Sequence, residues 1–429
     1  MRILMLAQFY PPFVGGEELH VRNLSIELVA RGHDVAVATL WQEGLAEFEQ
    51  QDGVRIYRIR GSMQRLSGLF QEKEKRNAPP FPDPEVLLAL RKLVLQERPE
   101  IVHAHNWLLH SFTPLKAWSK AKLVVTLHDC SFVCATQQFL RRGDLCSGPG
   151  MLKCLDCVVD NYGLLKGLPI AASLRASSLL ERQVVDRFLP VSKAIADSNQ
   201  LAERGASYQI IPNFIPDDIS LRTDETSPLL EQLPAGDFLL FVGSVGRDKG
   251  VEVLLKAYAA LHTSVPLVLI GQKETGFDPL IPPNVFLLDR WPHAAVMSAW
   301  KRATIALMPS ICLEACPTVT MEAMAMGKAV VASCIGGLTD IVVEGETGLL
   351  TPVADEHALG AAIQRLLDNP IERERMGQQA KQRVQMFQAE AVVPLIEHVY
   401  EELMGSSMIG TFEEAATSGP LVATPTTLL

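Results

Sequence analysis

The chain has 429 residues, 48% hydrophobic and 21% charged, a globular composition too long for one ordinary core and suited to two domains. Its formal net charge of −10 speaks against nucleic acid as a partner, which would call for a basic surface; the dense basic run at 73–76 (KEKR) reads as a solvated loop. Eight cysteines without an export signal argue against a disulfide scaffold, and no run approaches the ~18 apolar residues of a membrane span, so a cytoplasmic protein is expected, with peripheral membrane contact left open.

The opening MRILMLAQFYPP lacks a basic start and a small-residue cleavage site, and residues 2–8 read as a buried strand rather than a signal peptide. Residues 17–31 carry Leu19, Val21, Leu24, Ile26 and Leu28 on a mostly helical face, stopped by Gly32. Strands are expected at 34–40 and 54–60, a helix at 84–97 ended by Pro99, and strands at 101–105 and 122–128. A strand at 188–192, a helix and a strand at 208–213 complete this half. Strands separated by helices imply a parallel sheet with right-handed crossovers, a Rossmann-like unit.

Residues 216–236, rich in Pro, Asp, Ser and Thr, have the composition of a linker. A second alternating series follows: strands at 238–244, 266–271, 285–289, 304–310 and 329–333, with helices from about 250, near 293–301 and from Pro317. The fold class is therefore α/β, two tandem Rossmann-like doubly wound domains facing across a cleft. The division expected is 1–217, with a cysteine-bearing insertion at 130–165, then 218–384. A long helical stretch at 371–404 closes the fold, its last part, 385–404, packing back on the first domain; 405–429 is expected to be a disordered tail.

The segment SICLEACPTVTMEAMAMGKAVVAS carries the most chemistry. A strand ends at Ser310, a loop carries Glu314, and Pro317 sits where a helix begins, a position that suits its missing N–H. The amides of Thr318, Val319 and Thr320 then point outward as a phosphate site, Glu322 lies inside the helix, and Gly327 closes it. Glu314 and Glu322 do not suit a glycosidase. Eight residues of helix rise about 12 Å, against the roughly 5 Å of a retaining carboxylate pair and up to roughly 9 Å of an inverting one.

VGSVGRDKGV follows a strand and opens a helix, but lacks the Gly-Lys-Ser/Thr of an ATPase phosphate loop. Gly15 and Gly16, between the first strand and the first helix, let backbone amides approach a phosphate; alone, such a pair is more often a turn. His128 ends a strand where open sheets place their ligands. His103 and His105 share a strand face at metal-like spacing.

Together these segments resemble glycosyltransferase family 4. The resemblance runs from FYPPFVGGEELHVRNLSIELVARGHDV through VVTLHD, VSKAIA, IIPNFI and DKGVEVLLKAY to GGLTDIVVEGETGLL, and includes the two glutamates separated by seven residues. It implies the two-domain GT-B fold, with the donor held mainly by the C-terminal domain. Glu322 then matches the carboxylate that hydrogen-bonds the nucleotide ribose, Glu314 the one against the donor sugar, and Lys249 the lysine on the diphosphate. His128 matches a histidine beside the reaction centre, and Gly16 a glycine of the donor site. His103 is expected to pack, with His105 and Asn106 lining the cleft. The family commonly has arginine at Ser244; Arg247, three residues on, is either its substitute or a surface side chain.

The insertion after His128 brings Cys130, Cys134, Cys146, Cys154 and Cys157, and some relatives carry a similar one. Cys154 and Cys157 form a CxxC pair that Cys134 and Cys146 would complete as a structural zinc site, in a segment with little apolar periodicity of its own; free thiols or an adventitious disulfide are the other readings. Cys312, Cys316 and Cys334 read as small buried or cleft-lining residues.

The expected function is retaining transfer of a sugar from a nucleotide diphosphate donor to a carbohydrate, lipid or small-molecule acceptor, with no nucleic-acid partner and no cofactor or metal required for catalysis. A nucleotide-sugar epimerase or hydrolase, and a catalytically silent nucleotide-sugar-binding member, are the alternatives. Base, donor sugar and acceptor are not encoded in any motif.

Overall fold

The computed structural model describes residues 1–12, 15–62, 79–137, 139–142 and 144–405. The basic run at 73–76 and, beyond residue 405, the expected disordered tail lie outside the described residues.

Nine strands belong to the first half: β1 (Arg2–Ala7), β2 (Asp34–Leu40), β3 (Phe48–Gln51), β4 (Val54–Ile59), β5 (Ile101–His105), β6 (Lys122–Leu127), the short β7 (Leu140–Arg141) and β8 (Asp144–Leu145), and β9 (Arg187–Pro190). Seven form one sheet ordered β3-β4-β2-β1-β5-β6-β9, while β7 and β8 pair as a separate hairpin. The large sheet is parallel except at its edge, where β3 runs antiparallel to β4. Its central strands are near-continuous apolar runs because both faces are covered; Ile3 to Ala7 of β1 are all buried. The edge strand β3, with sequence FEQQ, is short and polar, which keeps it from templating another chain.

The second sheet contains β10 (Leu239–Val242), β11 (Leu267–Ile270), β12 (Val285–Leu288), β13 (Ile305–Met308), β14 (Val330–Ser333) and β15 (Gly348–Thr351), ordered β12-β11-β10-β13-β14-β15 and parallel throughout. Both sheets thus reverse direction of growth once, between β1 and β5 and between β10 and β13. In open parallel sheets the crevice outside the strand C-termini at such a reversal is where ligands bind.

Several expected elements differ. Residues 208–213 form only an isolated bridge from Tyr208 to Phe188, with Gln209 and Ile211 donating to the carbonyls of Phe188 and Pro190; Pro212 has no N–H to extend the ladder. The stretch expected as one long helix at 371–404 is Pro370–Arg383, a 3₁₀ turn at Val384–Phe387, and Ala389–Met404. Helix Glu356–Asp368 and strands β3 and β15 had no sequence expectation. The insertion is largely helical, at Met151–Val184, broken at Gly163 (φ 73°, ψ 165°).

The chain passes between the two halves at two neighbouring places. Ile215 donates to the Phe387 carbonyl at 2.9 Å, and the Ala389 amide returns a bond to Ile215 at 3.0 Å. The last helix then lies on the first sheet's unit: Val392, Val393, Ile396 and Val399 pack in one cluster with Ile3, Met5, Val21, Leu24 and Leu28. Glu397 takes Arg31 (3.2 Å) and His33 (2.8 Å). Tyr400 Oη meets His103 Nδ1 at 2.6 Å, and Thr126 Oγ1 occupies the other ring nitrogen at 2.7 Å. His103 is thus a packed, fully partnered side chain, and burial lowers its pKa to about 3.

Ile396→Ala should lower stability by about 2–5 kcal/mol through the cavity it leaves, and Tyr400→Phe by about 1–3 kcal/mol by orphaning a buried nitrogen of His103. Denaturant unfolding measures both; unchanged midpoints would show that this helix does not anchor the first unit.

Candidate active site

The cleft is built by loops that leave the C-terminal ends of strands beside the two reversals. It has a volume of about 380 Å³ and is lined by Gly16 and Glu17 after β1, His128 and Asp129 after β6, Gly243 and Lys249 after β10, and Ser310, Glu314 and Pro317 to Thr320 after β13.

One close approach positions the lysine. Gly250 has φ 70°, and a Cβ there would lie 1.8 Å from the Pro309 carbonyl oxygen. Only glycine tolerates both the dihedral and the contact. The loop before helix Val251–Ala260 therefore presses against the end of β13, and the carbonyl of Asp248 accepts from the amides of Ile311 (2.9 Å) and Cys312 (3.1 Å). Lys249 Nζ then reaches Glu314 Oε1 at 2.8 Å, and Ser310 Oγ donates to the same oxygen at 2.5 Å. Burial alone would disfavour the ammonium, but the Glu314 carboxylate outweighs it and holds the Lys249 pKa above its ordinary value. Among the described residues, Lys249 is the one lysine or arginine lining the cleft.

The helix Thr318–Ala325 starts at Pro317, which caps it without a side-chain bond. Pro317 is thus one position earlier than the first helical residue. The amide of Thr320 donates to the Pro317 carbonyl at 3.1 Å, so the anion-facing set narrows to the amides of Thr318 and Val319. Glu322 is buried in the same helix and meets His293 Nε2 at 2.9 Å. The bond to Glu322 outweighs burial and raises the histidine's pKa. Glu322 is not among the cleft-lining residues. His293 opens helix His293–Arg302, and no spacing in the sequence ties it to Glu322.

Ser244 and Arg247 stand apart from this set. Ser244 Oγ donates to Glu274 Oε1 at 3.0 Å, so a carboxylate fills the neighbourhood where the family commonly places an arginine. The Arg247 side chain is 71% exposed, and its ion pair is with Glu252 at 3.6 Å, on the outer side of the loop. Arg247 lines a separate surface pocket with Glu252 and is not among the residues that line the cleft with Lys249.

On the opposite wall, a Cβ at Gly16 would meet nothing within 4 Å, so its backbone faces open cleft. Glu17 beside it is partly buried, lines the cleft and accepts a hydrogen bond from the Asn106 side chain. Burial first, then Glu18 and Asp129, pushes the Glu17 pKa well up. His128 Nε2 meets His105 Nδ1 at 3.0 Å, and His20 packs edge-on at a ring distance of 4.9 Å. His105 and Asn106 therefore stand one layer behind the cleft rather than lining it. Burial lowers the pKa values of His20 (to about 4), His105 and His128, so the group is neutral at physiological pH.

His20, His105 and His128 are, among the described residues, the one set of three ligand-type side chains with donor atoms all within 4.8 Å of one another. The direct His105–His128 bond already uses a nitrogen of each, which suits a neutral hydrogen-bonded stack. The four cysteines form no such set. Cys134, Cys146, Cys154 and Cys157 instead line a common pocket of about 490 Å³. The expected zinc site is not assembled by this geometry, and its physical motive falls too. Phe132, Ala135, Phe139, Val158 and Leu174 of the insertion are buried in the main core, so the segment folds on apolar contacts that its pattern did not reveal.

Against known proteins, residues 14–218 match the family described as Glycosyltransferase Family 4 and residues 231–383 the one described as Glycosyl transferases group 1. The chain is 34% identical over 396 residues to D-inositol 3-phosphate glycosyltransferase of an Arthrobacter species, covering 87% of this chain and 86% of that protein. It is 27% identical over 404 residues to glycogen synthase of Mycobacterium tuberculosis, covering 90% of each. The fold is shared with the Anabaena protein HepE, whose structure is in complex with UDP, at TM-score 0.66 and 19% identity over 94% of this chain and all of that one. With its two parallel sheets and the cleft between their reversals, this chain belongs to glycosyltransferase family 4 and is a glycosyltransferase of the GT-B fold.

Proposed function

We propose that this glycosyltransferase takes a nucleoside diphosphate sugar as donor and transfers the sugar with retention of anomeric configuration. The observation that carries the reading is the placing of Lys249 beside the unpaired amides of Thr318 and Val319, with His128 and Gly16 on the facing wall. A diphosphate needs fixed positive charge and oriented N–H groups, and this cleft offers both on one side. The UDP complex of HepE, a protein of the same fold, agrees with such a donor.

In this reading residues 218–384 hold the donor and residues 1–217 present the acceptor. The diphosphate displaces the Glu314 carboxylate from part of the Lys249 ammonium, leaving Glu314 to face the sugar. Glu322, oriented by His293, takes the ribose hydroxyls. The anomeric C–O bond to phosphate breaks as the acceptor oxygen bonds to the same face of that carbon. The acceptor's proton passes to the departing phosphate oxygen, so no separate base is required. His128, kept neutral by burial, serves as a hydrogen-bonding wall and not as a cation. No metal is assigned a step, because Lys249 and the helix amides supply the charge the leaving group needs.

Lys249→Ala should cut turnover by roughly 100-fold or more, while Arg247→Ala stays within about twofold, as expected of a surface change. A crippled Arg247→Ala would restore the substitute-arginine reading. Glu322→Ala should weaken binding of the matching nucleoside diphosphate by about 10- to 150-fold, the worth of a charged hydrogen bond; unchanged affinity by calorimetry would remove Glu322 from the donor site. Proton NMR of fresh product should show the donor's anomeric configuration, and chelator should leave transfer intact. Inversion would overturn the mechanism.

A further inference from the structure

One motif of the first half, IIPNFI, places a polar side chain that the proposed mechanism leaves unused. The Ile211 amide donates to the Pro190 carbonyl at 3.1 Å and the Ile215 amide to that of Phe387 at 2.9 Å, so the chain is pinned on either side of residue 213. Asn213 is buried and lines the cleft together with His128 and Cys316. Its Nδ2 donates to the Cys316 carbonyl at 2.9 Å. Cys316 immediately precedes Pro317, the cap of helix Thr318–Ala325. Asn213 therefore reaches from the His128 wall to the start of the helix on the other side.

A carbonyl only accepts, so the Cys316 contact fixes which end of the Asn213 amide is nitrogen and leaves Oδ1 for its other side. That oxygen and Nδ1 of His128 are both buried, and neither has a partner in full hydrogen-bonding geometry among the described residues. Buried polar atoms are nearly always paired, so two orphans on one cleft wall call for an account. The Asn213 side chain also biases the His128 ring toward its protonated form, the sign of an oxygen facing an N–H. The other ring nitrogen, Nε2, is already taken by His105 Nδ1 at 3.0 Å. With Nδ1 of His128 protonated, Nε2 accepts from His105 and both contacts are complementary. The opposite tautomer would set the lone pairs of Asn213 Oδ1 and His128 Nδ1 against each other. It would also leave an N–H at His105 Nε2 buried without an acceptor.

We infer that Asn213 is a positioning residue whose oxygen accepts from His128 Nδ1–H while its nitrogen holds the Cys316 carbonyl. One tautomer and one orientation of His128 are thereby tied to the start of helix Thr318–Ala325. The inference rests on the reading of His128 as part of the reactive wall, but the tautomer is measured on the free protein and needs no donor.

The full chain is isotopically labelled at its histidine ring nitrogens, and long-range proton–nitrogen spectra read the tautomer of each ring. The His128 signal is the one lost in His128→Gln. Nδ1–H is expected for His128 at neutral pH. Asn213→Ala should lose that form, and Asn213→Asp should keep it while raising the pH at which the ring titrates, because a carboxylate favours the imidazolium. Turnover is then measured with UDP-glucose, GDP-glucose and ADP-glucose in turn. For the donor consumed, Asn213→Ala should lower kcat by about tenfold or more and leave KM within about twofold, with circular dichroism matching the parent. An Nε2–H parent, an unchanged tautomer in Asn213→Ala, or an unshifted titration in Asn213→Asp overturns the inference. So does unchanged turnover in Asn213→Ala, or a lower kcat without a change of tautomer, since that loss would come through the Cys316 carbonyl. Product of inverted configuration with the expected tautomer overturns the transfer mechanism and not the assignment of Asn213.

Discussion

The site depends on one steric constraint, the contact of Gly250 with the carbonyl of Pro309. Any side chain at residue 250 would push the loop after β10 off the end of β13. With glycine there, Lys249 is set against Glu314 across a sheet reversal, and a carboxylate at 2.8 Å compensates the half-buried ammonium. Gly336 plays the matching part on the other side of Glu314. It has φ 57°, and a Cβ there would strike the Glu314 carbonyl at 2.1 Å. The acidic loop is therefore clamped between two close backbone approaches, which fixes where the ion pair stands.

The facing wall is organised by desolvation instead of charge. His20, His105 and His128 are packed tightly enough that protonation is disfavoured, and Glu17 is pushed toward its neutral form by the same burial. The cleft thus opposes a wall with fixed positive charge to a wall of neutral hydrogen-bonding groups. The last helix supports this wall from behind through Tyr400 and His103, so the C-terminal segment contributes to the first unit's site without touching the cleft.

Two departures from the family pattern concern different parts of the molecule. At Ser244 the neighbour is Glu274, and the positive charge of the cleft rests on Lys249 and the helix amides. In the insertion, cysteines at metal-like spacing are distributed around an apolar pocket, and the segment folds on buried Phe132, Phe139 and Leu174.

Much of the architecture was legible in the sequence because parallel strands are buried on both faces and appear as apolar runs. The strand at 34–40 and the helix at 84–97 match in both bounds, the latter because Asp83 caps its start and the chain leaves the helix at Arg98, with φ 47°, before Pro99. That Lys249, Glu314, Pro317 and Gly16 stand in or at the start of strand-to-helix connections was readable for a related reason, since the strand before and the helix after each connection show in the local pattern. What the sequence could not carry were relations between distant segments. The His293–Glu322 pair spans 29 residues, the Ser244–Glu274 pair 30, and His103–Tyr400 297. The outward turn of Arg247 was likewise hidden, since three residues of loop can face either way. Only tertiary packing decided these, because which side chains meet across a cleft depends on how sheets and loops stack, and a linear pattern records only the faces that each element buries.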